Sequence, residues 1–142
     1  MNLYPPFLGA GVRVRPLPGP QRAVEVTMRL RWWNRNYVGT HFGGSLYTMC
    51  DPFYMLLLLW ELGPGWIVWD KAATIRFTRP GRTRVRAVFT VPAGLADEIR
   101  AAGAGGEKVE PVFEAEVTDA AGEVIARVEK VLYVRRKPAK AS

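Results

Sequence analysis

One cysteine, Cys50, and one histidine, His41, are all the cysteine and histidine that this 142-residue chain offers. Neither an internal disulfide nor a Cys/His zinc cage can be built from them. Long hydrophobic runs are missing as well. The longest, Phe53 to Trp60, is eight residues, against about 20 for a bilayer-crossing helix. The opening Met1-Asn2-Leu3-Tyr4-Pro5-Pro6 lacks the basic start of a secretory leader. The expectation is a cytoplasmic protein with no membrane partner. Acidic residues are in deficit, 13 against 20 basic ones for a net charge of +7, and 15 of the 20 cations are arginine. Such a field attracts anions, whether nucleic acid, an anionic membrane surface or a phosphorylated cofactor.

Apolar material is plentiful, at 49% hydrophobic and 11% aromatic, and a chain of this length can bury roughly two-thirds of its unfolded surface. A single domain over residues 1–135 is expected. Its first 20 residues, punctuated by Pro5, Pro6, Gly9, Gly11, Pro16, Pro18, Gly19 and Pro20, read as an arm packed on the domain. The basic stretch 136–142 reads as a disordered tail.

From Arg22 the pattern has period two, with Val24, Val26, Met28 and Leu30 opposite Glu25, Thr27, Arg29 and Arg31, the mark of a half-buried strand. After Gly43-Gly44, the stretch Ser45 to Leu62 is apolar on nearly every side of a helical wheel, as befits a helix in the middle of a core. Strands follow over Trp66–Phe77, Val85–Val91, Val109–Val117 and Glu123–Val134, with a surface helix over Ala93–Ala102 and a hairpin turn at Asp119-Ala120-Ala121-Gly122. The fold class is α+β: an antiparallel sheet of about five or six strands wrapped round one long apolar helix. Such a sheet keeps an open edge, which pairing with a second copy would close.

The densest cluster of unusual residues runs from Asn36 to Pro52. Glycines at a helix start admit a ligand to the backbone, and first-turn amides suit a developing oxyanion, so Gly43 and Gly44 are oxyanion-hole candidates; a tight turn needing glycine would look the same. Asp51 is the only charge between Arg35 and Glu61. A carboxylate among apolar residues costs several kcal/mol unless it has a purpose, and general-base work is one. Asp51-Pro52 is equally the pattern of a helix N-cap. Gly44 and Asp51 are two helical turns apart, about 10 Å, too far to serve one carbonyl within a chain. The amide and the carboxylate of one site are therefore expected from different chains.

The set Asn36, Gly39, Gly43, Gly44 and Asp51, with Trp69-Asp70-Lys71 and Ile75-Arg76-Phe77-Thr78-Arg79-Pro80-Gly81, resembles the hot-dog acyl-CoA thioesterases of the phenylacetate-pathway type, over nearly the whole length. The resemblance implies a hot-dog fold and a site at the interface of a homodimer, itself able to pair into a homotetramer. It implies Asp51 as nucleophile or general base, the amide of Gly43 or Gly44 on the thioester carbonyl, and Asn36 positioning the water. Phe42 stands where the family has His, with His41 one place earlier. Asp70 falls where relatives often present Ser or Thr. The substrate contacts expected on this basis are Phe42, His41, Asp70, Lys71, Arg79 and Arg82, with coenzyme A entering only as part of the substrate and no metal or other cofactor. Arg76, Arg84 and Arg86 belong to the same arginine-rich stretch, and each suits a phosphate or a solvated strand face.

Three functions follow. The first is hydrolysis of an acyl thioester. The second, prompted by Phe42, is a non-catalytic thioester binder or interaction protein. The third, nucleic-acid binding, rests on net charge alone, because the one strong helix is apolar rather than basic. Cys50 reads as a small buried hydrophobe, and Trp60, Trp66, Trp69, Tyr47 and Tyr54 are candidate liners of an acyl pocket.

Overall fold

The structure, a computed structural model, describes residues 1–138. Its elements in chain order are α1 (Pro5–Ala10), β1 (Val12–Leu17), β2 (Ala23–Met28), α2 (Gly43–Thr48), α3 (Phe53–Leu62), β3 (Trp66–Phe77), β4 (Val85–Thr90), α4 (Leu95–Ala102), β5 (Lys108–Val109), β6 (Val112–Thr118) and β7 (Val124–Arg136). All seven strands join one antiparallel sheet in the order β1-β2-β4-β6-β7-β3, with β5 paired to β7. This is the hot-dog arrangement, with two more strands than the lower expectation.

The sheet wraps α3, whose Phe53 and Leu58 are sealed from solvent. Phe53 stacks between Phe7 and Phe89, and Tyr54 stacks on Phe113 at 4.6 Å. Each such aromatic contributes about 1.5–3 kcal/mol by leaving water, so these rings fix where α3 lies in the sheet.

Three expectations need correction. The long helix over Ser45–Leu62 is two helices, broken at 49–52, because Pro52 has no amide to donate to the Thr48 carbonyl. The residues assigned to an arm form α1 and the edge strand β1, whose alternating Val12-Arg13-Val14-Arg15 pairs in register with β2. At the other end β7 continues to Arg136, and the Lys137 amide donates to the Gly65 carbonyl at 2.9 Å. The remainder of the expected tail, 139–142, lies outside the described residues.

The two sheet edges differ. β1 presents Arg13, Arg15 and Pro16, residues that discourage strand addition. β3 is twice as long at 12 residues, and its exposed middle is Ala72-Ala73-Thr74.

Candidate active site

Asp51 lies in the break between α2 and α3, and its side chain does not cap α3, whose N-cap position is Pro52 with no side-chain cap bond. The N-cap reading of Asp51-Pro52 is therefore set aside. Nor is Asp51 buried among apolar groups. Its side chain is 49% exposed, and Oδ1 accepts a hydrogen bond from Lys130 Nζ at 3.1 Å.

Lys130 was not among the residues singled out from sequence. It is 0% exposed, on the helix-facing side of β7 between Val128 and Leu132. Its ammonium donates to the Tyr47 hydroxyl at 3.0 Å and pairs with Asp70 Oδ1 at 2.9 Å. That oxygen has no hydrogen-bond partner of suitable angle, so its tie to Lys130 is ionic contact. Burial alone would pull the ammonium down, but the bonds to Tyr47 and Asp51 and the close contact with the Asp70 carboxylate outweigh it and hold Lys130 above the ordinary lysine value. Burial raises the Tyr47 hydroxyl, partly offset by Lys130.

Asp70 reaches this point because β3 carries a bulge between Asp70 and Ala72, which re-aims the chain against β7. The extra residue, Lys71, turns outward to Glu110 at 2.7 Å. Two of the expected site residues, Asp51 and Asp70, thus share one ammonium, and Lys71 is separate from them.

Gly43 and Gly44 open α2, where the first amides have no acceptor within the helix. Both glycines are covered by rings. A Cβ on Gly43 would meet Phe77 Cζ at 3.0 Å, and one on Gly44 would run into the Phe42 ring. Phe42 itself is 57% exposed.

Asn36 is occupied by its own loop. Its Oδ1 accepts from the Val38 and Thr40 amides at 3.1 and 2.9 Å, and Nδ2 donates to Thr40 Oγ1 at 2.8 Å. With every polar atom committed, it shapes the loop and leaves no group for a water. His41 is buried, with Nε2 bonded to the Thr83 carbonyl at 2.7 Å and Nδ1 unpartnered. Burial lowers the imidazole below its usual value, against the Thr83 bond. It joins two loops, its amide donating to the Gly81 carbonyl at 2.9 Å. Arg79 pairs with Glu123 at 2.8 Å, while Arg82 is exposed and has no ion pair among the described residues.

The five candidate pocket aromatics are dispersed. Trp66 is core, the Tyr54 hydroxyl is bonded to the Glu114 carbonyl, Tyr47 is on Lys130, and Trp69 stacks on Tyr133 at 4.3 Å. Trp60 lines an apolar groove with Leu56, Leu57 and Pro18, under a stacked Arg22 guanidinium. Cys50 is wholly buried, as expected, and burial pushes its thiol up to about 12.

The fold places the chain among the thioesterase-like hot-dog proteins. The model of the family described as a domain of unknown function, DUF4442, matches residues 1–134, and the chain belongs to that family. A Pseudomonas aeruginosa protein of unknown function, PA5026, described as a probable thioesterase, superposes with a TM-score of 0.79 at 26% identity, covering 90% of this chain and 85% of that one. Thioesterase HI1161 of Haemophilus influenzae gives 0.66 at 14% identity, covering 96% and 86%. The PaaI protein of the Escherichia coli phenylacetic acid degradation operon gives 0.65 at 17%, covering 97% and 88%; these last two share the fold alone. No curated protein matches the sequence.

Proposed function

We propose that the protein hydrolyses acyl thioesters, including those of coenzyme A, with Asp51 as general base. The observation that carries this reading is the fastening of Asp51 Oδ1 to the buried Lys130 ammonium, with half of the side chain open to solvent. Oδ2 is then free to take a proton from a water whose oxygen attacks the thioester carbonyl carbon. The oxyanion accepts hydrogen bonds from the Gly43 and Gly44 amides. As the carbon–sulfur bond breaks, the proton held by Asp51 passes to the leaving sulfur, giving free acid and free thiol.

The site on this reading is shared between two copies. The unguarded β3 edge, in contrast to the guarded β1 edge at the other end of the sheet, supports side-by-side pairing of sheets through β3. Release of thiol from a panel of acyl thioesters tests the assignment. Asp51→Ala, with an unchanged circular dichroism spectrum, abolishes release; undiminished release from that variant refutes it.

A second reading is favoured by Phe42, whose ring occupies the space where a Gly44 side chain would stand, close to the start of α2. On that reading the protein binds thioesters without cleaving them: they raise its melting temperature and no thiol appears.

A further inference from the structure

The side of the sheet turned away from α3 carries a concentration of one charge. β1, β2, β4 and the residues flanking them bring together Arg13, Arg15, Arg29, Arg31, Arg84 and Arg86, with Glu25 as the carboxylate among them. Glu25 is already occupied, by Arg15 at 2.8 Å on one oxygen and by Arg86 on the other. The remaining four, Arg13, Arg29, Arg31 and Arg84, form no ion pair and donate no side-chain hydrogen bond among the described residues. They converge on one groove of about 440 Å³, with Thr27 and Trp33 also in its lining.

Elsewhere some surface cations are matched with acids, as in Arg79–Glu123, Arg127–Glu116, Arg100–Asp97 and Lys71–Glu110, and others, such as Arg76 and Arg82, are not; what sets the four apart is that they line one groove. Four unmatched guanidiniums around one concavity repel one another until an anion enters. Guanidinium forks fit phosphate oxygens two at a time, and four of them exceed what a single phosphate needs. Trp33 is half exposed, with Arg31 5.7 Å from its ring, and offers a flat apolar face of the kind on which a nucleobase stacks. The same Trp33 lines a second cleft of about 390 Å³ with Phe42, Gly44 and Ser45. A ligand anchored among the arginines can therefore extend past Trp33 to the start of α2.

We propose that this groove binds a nucleoside phosphate, its phosphates held by Arg13, Arg29, Arg31 and Arg84 and its base laid against Trp33. The nucleotide has two possible sources, the coenzyme A end of the thioester substrate or a separate nucleotide. The first rests on the hydrolase reading above; the second does not.

Titration calorimetry on the full chain at about 150 mM salt, where long-range attraction is screened, tests it with adenosine 3′,5′-bisphosphate, ADP and coenzyme A. One saturable site per chain is expected. The pair Arg29→Gln/Arg31→Gln weakens binding by about tenfold or more, as the loss of charged hydrogen bonds requires. Arg127→Gln/Arg135→Gln, which removes the same charge from β7, leaves binding within about twofold. If coenzyme A displaces the bisphosphate and the groove variant raises KM for acyl-CoA at unchanged kcat, the ligand is the substrate's own nucleotide. If ADP binds without competing with acyl-CoA, the ligand is a separate one.

Absence of saturable binding by all three probes overturns the proposal, as does equal weakening by the β7 pair. So does preference for a single-stranded oligonucleotide that loads several chains per strand. Nucleotide binding without thiol release leaves this site standing and removes the hydrolase. Thiol release with KM unchanged in the groove variant, and no saturable binding by any of the three probes, does the reverse.

Discussion

The ammonium of Lys130, with no exposure to solvent, lies 3.1 Å from the half-exposed carboxylate of Asp51. A fully desolvated cation therefore depends on partners that water can still reach, and Asp70 at 2.9 Å completes its neutralisation. Breaking a buried pair from one side costs several kcal/mol, less where the orphaned group can rehydrate.

Lys130→Met is expected to destabilise the fold by about 2 kcal/mol, because Asp51 and Asp70 are left facing each other beside an apolar side chain but retain access to water. In a domain of this size that lowers Tm by about 4–8 °C. Adding Asp51→Asn and Asp70→Asn should recover much of the loss. Thermal unfolding of the three proteins checks this, and a Lys130→Met variant as stable as the parent would contradict it.

The same contacts predict an alkaline limit. Lys130 titrates above the ordinary 10.5 when folded, so its contribution is complete below that value and disappears as pH rises through the folded one. The difference in denaturant midpoint between the parent and Lys130→Met should hold steady from pH 8 to about 10 and shrink above it. A constant difference at pH 11.5 would show that the charge on Lys130 contributes nothing.

His41 predicts the opposite limb. Burial holds its imidazole below the usual 6.5, so its stabilisation is complete above that value and declines as pH falls through the folded one. Urea midpoints should fall on the acid side of pH 6.5 in the parent and fall less in His41→Gln, which keeps a donor for the Thr83 carbonyl but has no ring to protonate. Parallel curves would place the acid sensitivity elsewhere, with Glu25 next in line: the Arg86 bond, against burial and with help from Arg15, holds its carboxyl below the usual range.

The exposed β3 edge predicts the assembly. Sedimentation should find the parent as a dimer, and Ala72→Lys/Ala73→Lys, which places charge on both faces of β3 at the middle of that edge, should shift it to monomer. A monomeric parent at micromolar concentration would rule out a site shared through β3.

Much of the fold was legible because its strands keep strict periods. Val24, Val26 and Met28 gave away β2, and the Asp119–Gly122 turn is held by Asp119 Oδ1 on the Ala121 and Glu123 amides, with Gly122 at φ 83°. The edge strand β1 was hidden by the prolines and glycines around it, since breakers crowd as readily at a sheet border as in an arm. In the site, Asp51 and Asp70 could be named from the sequence, but not what joins them. Lys130 sits at the inward parity of β7, between Val128 and Leu132, and a cation at such a position was the available sign that a carboxylate waited inside. The groove arginines were countable one by one. Their convergence was not, because β4, far along the chain from β1 and β2, comes to lie beside them only once the sheet forms.

Cys50 carries a practical corollary. Sealed within the core and far from ionising at neutral pH, the chain's solitary sulfhydryl stays dark to disulfide dyes while the native state persists. Colour developing in a native reaction mixture then reports the cleaved substrate, and a slow molar equivalent appearing without substrate reports unfolding.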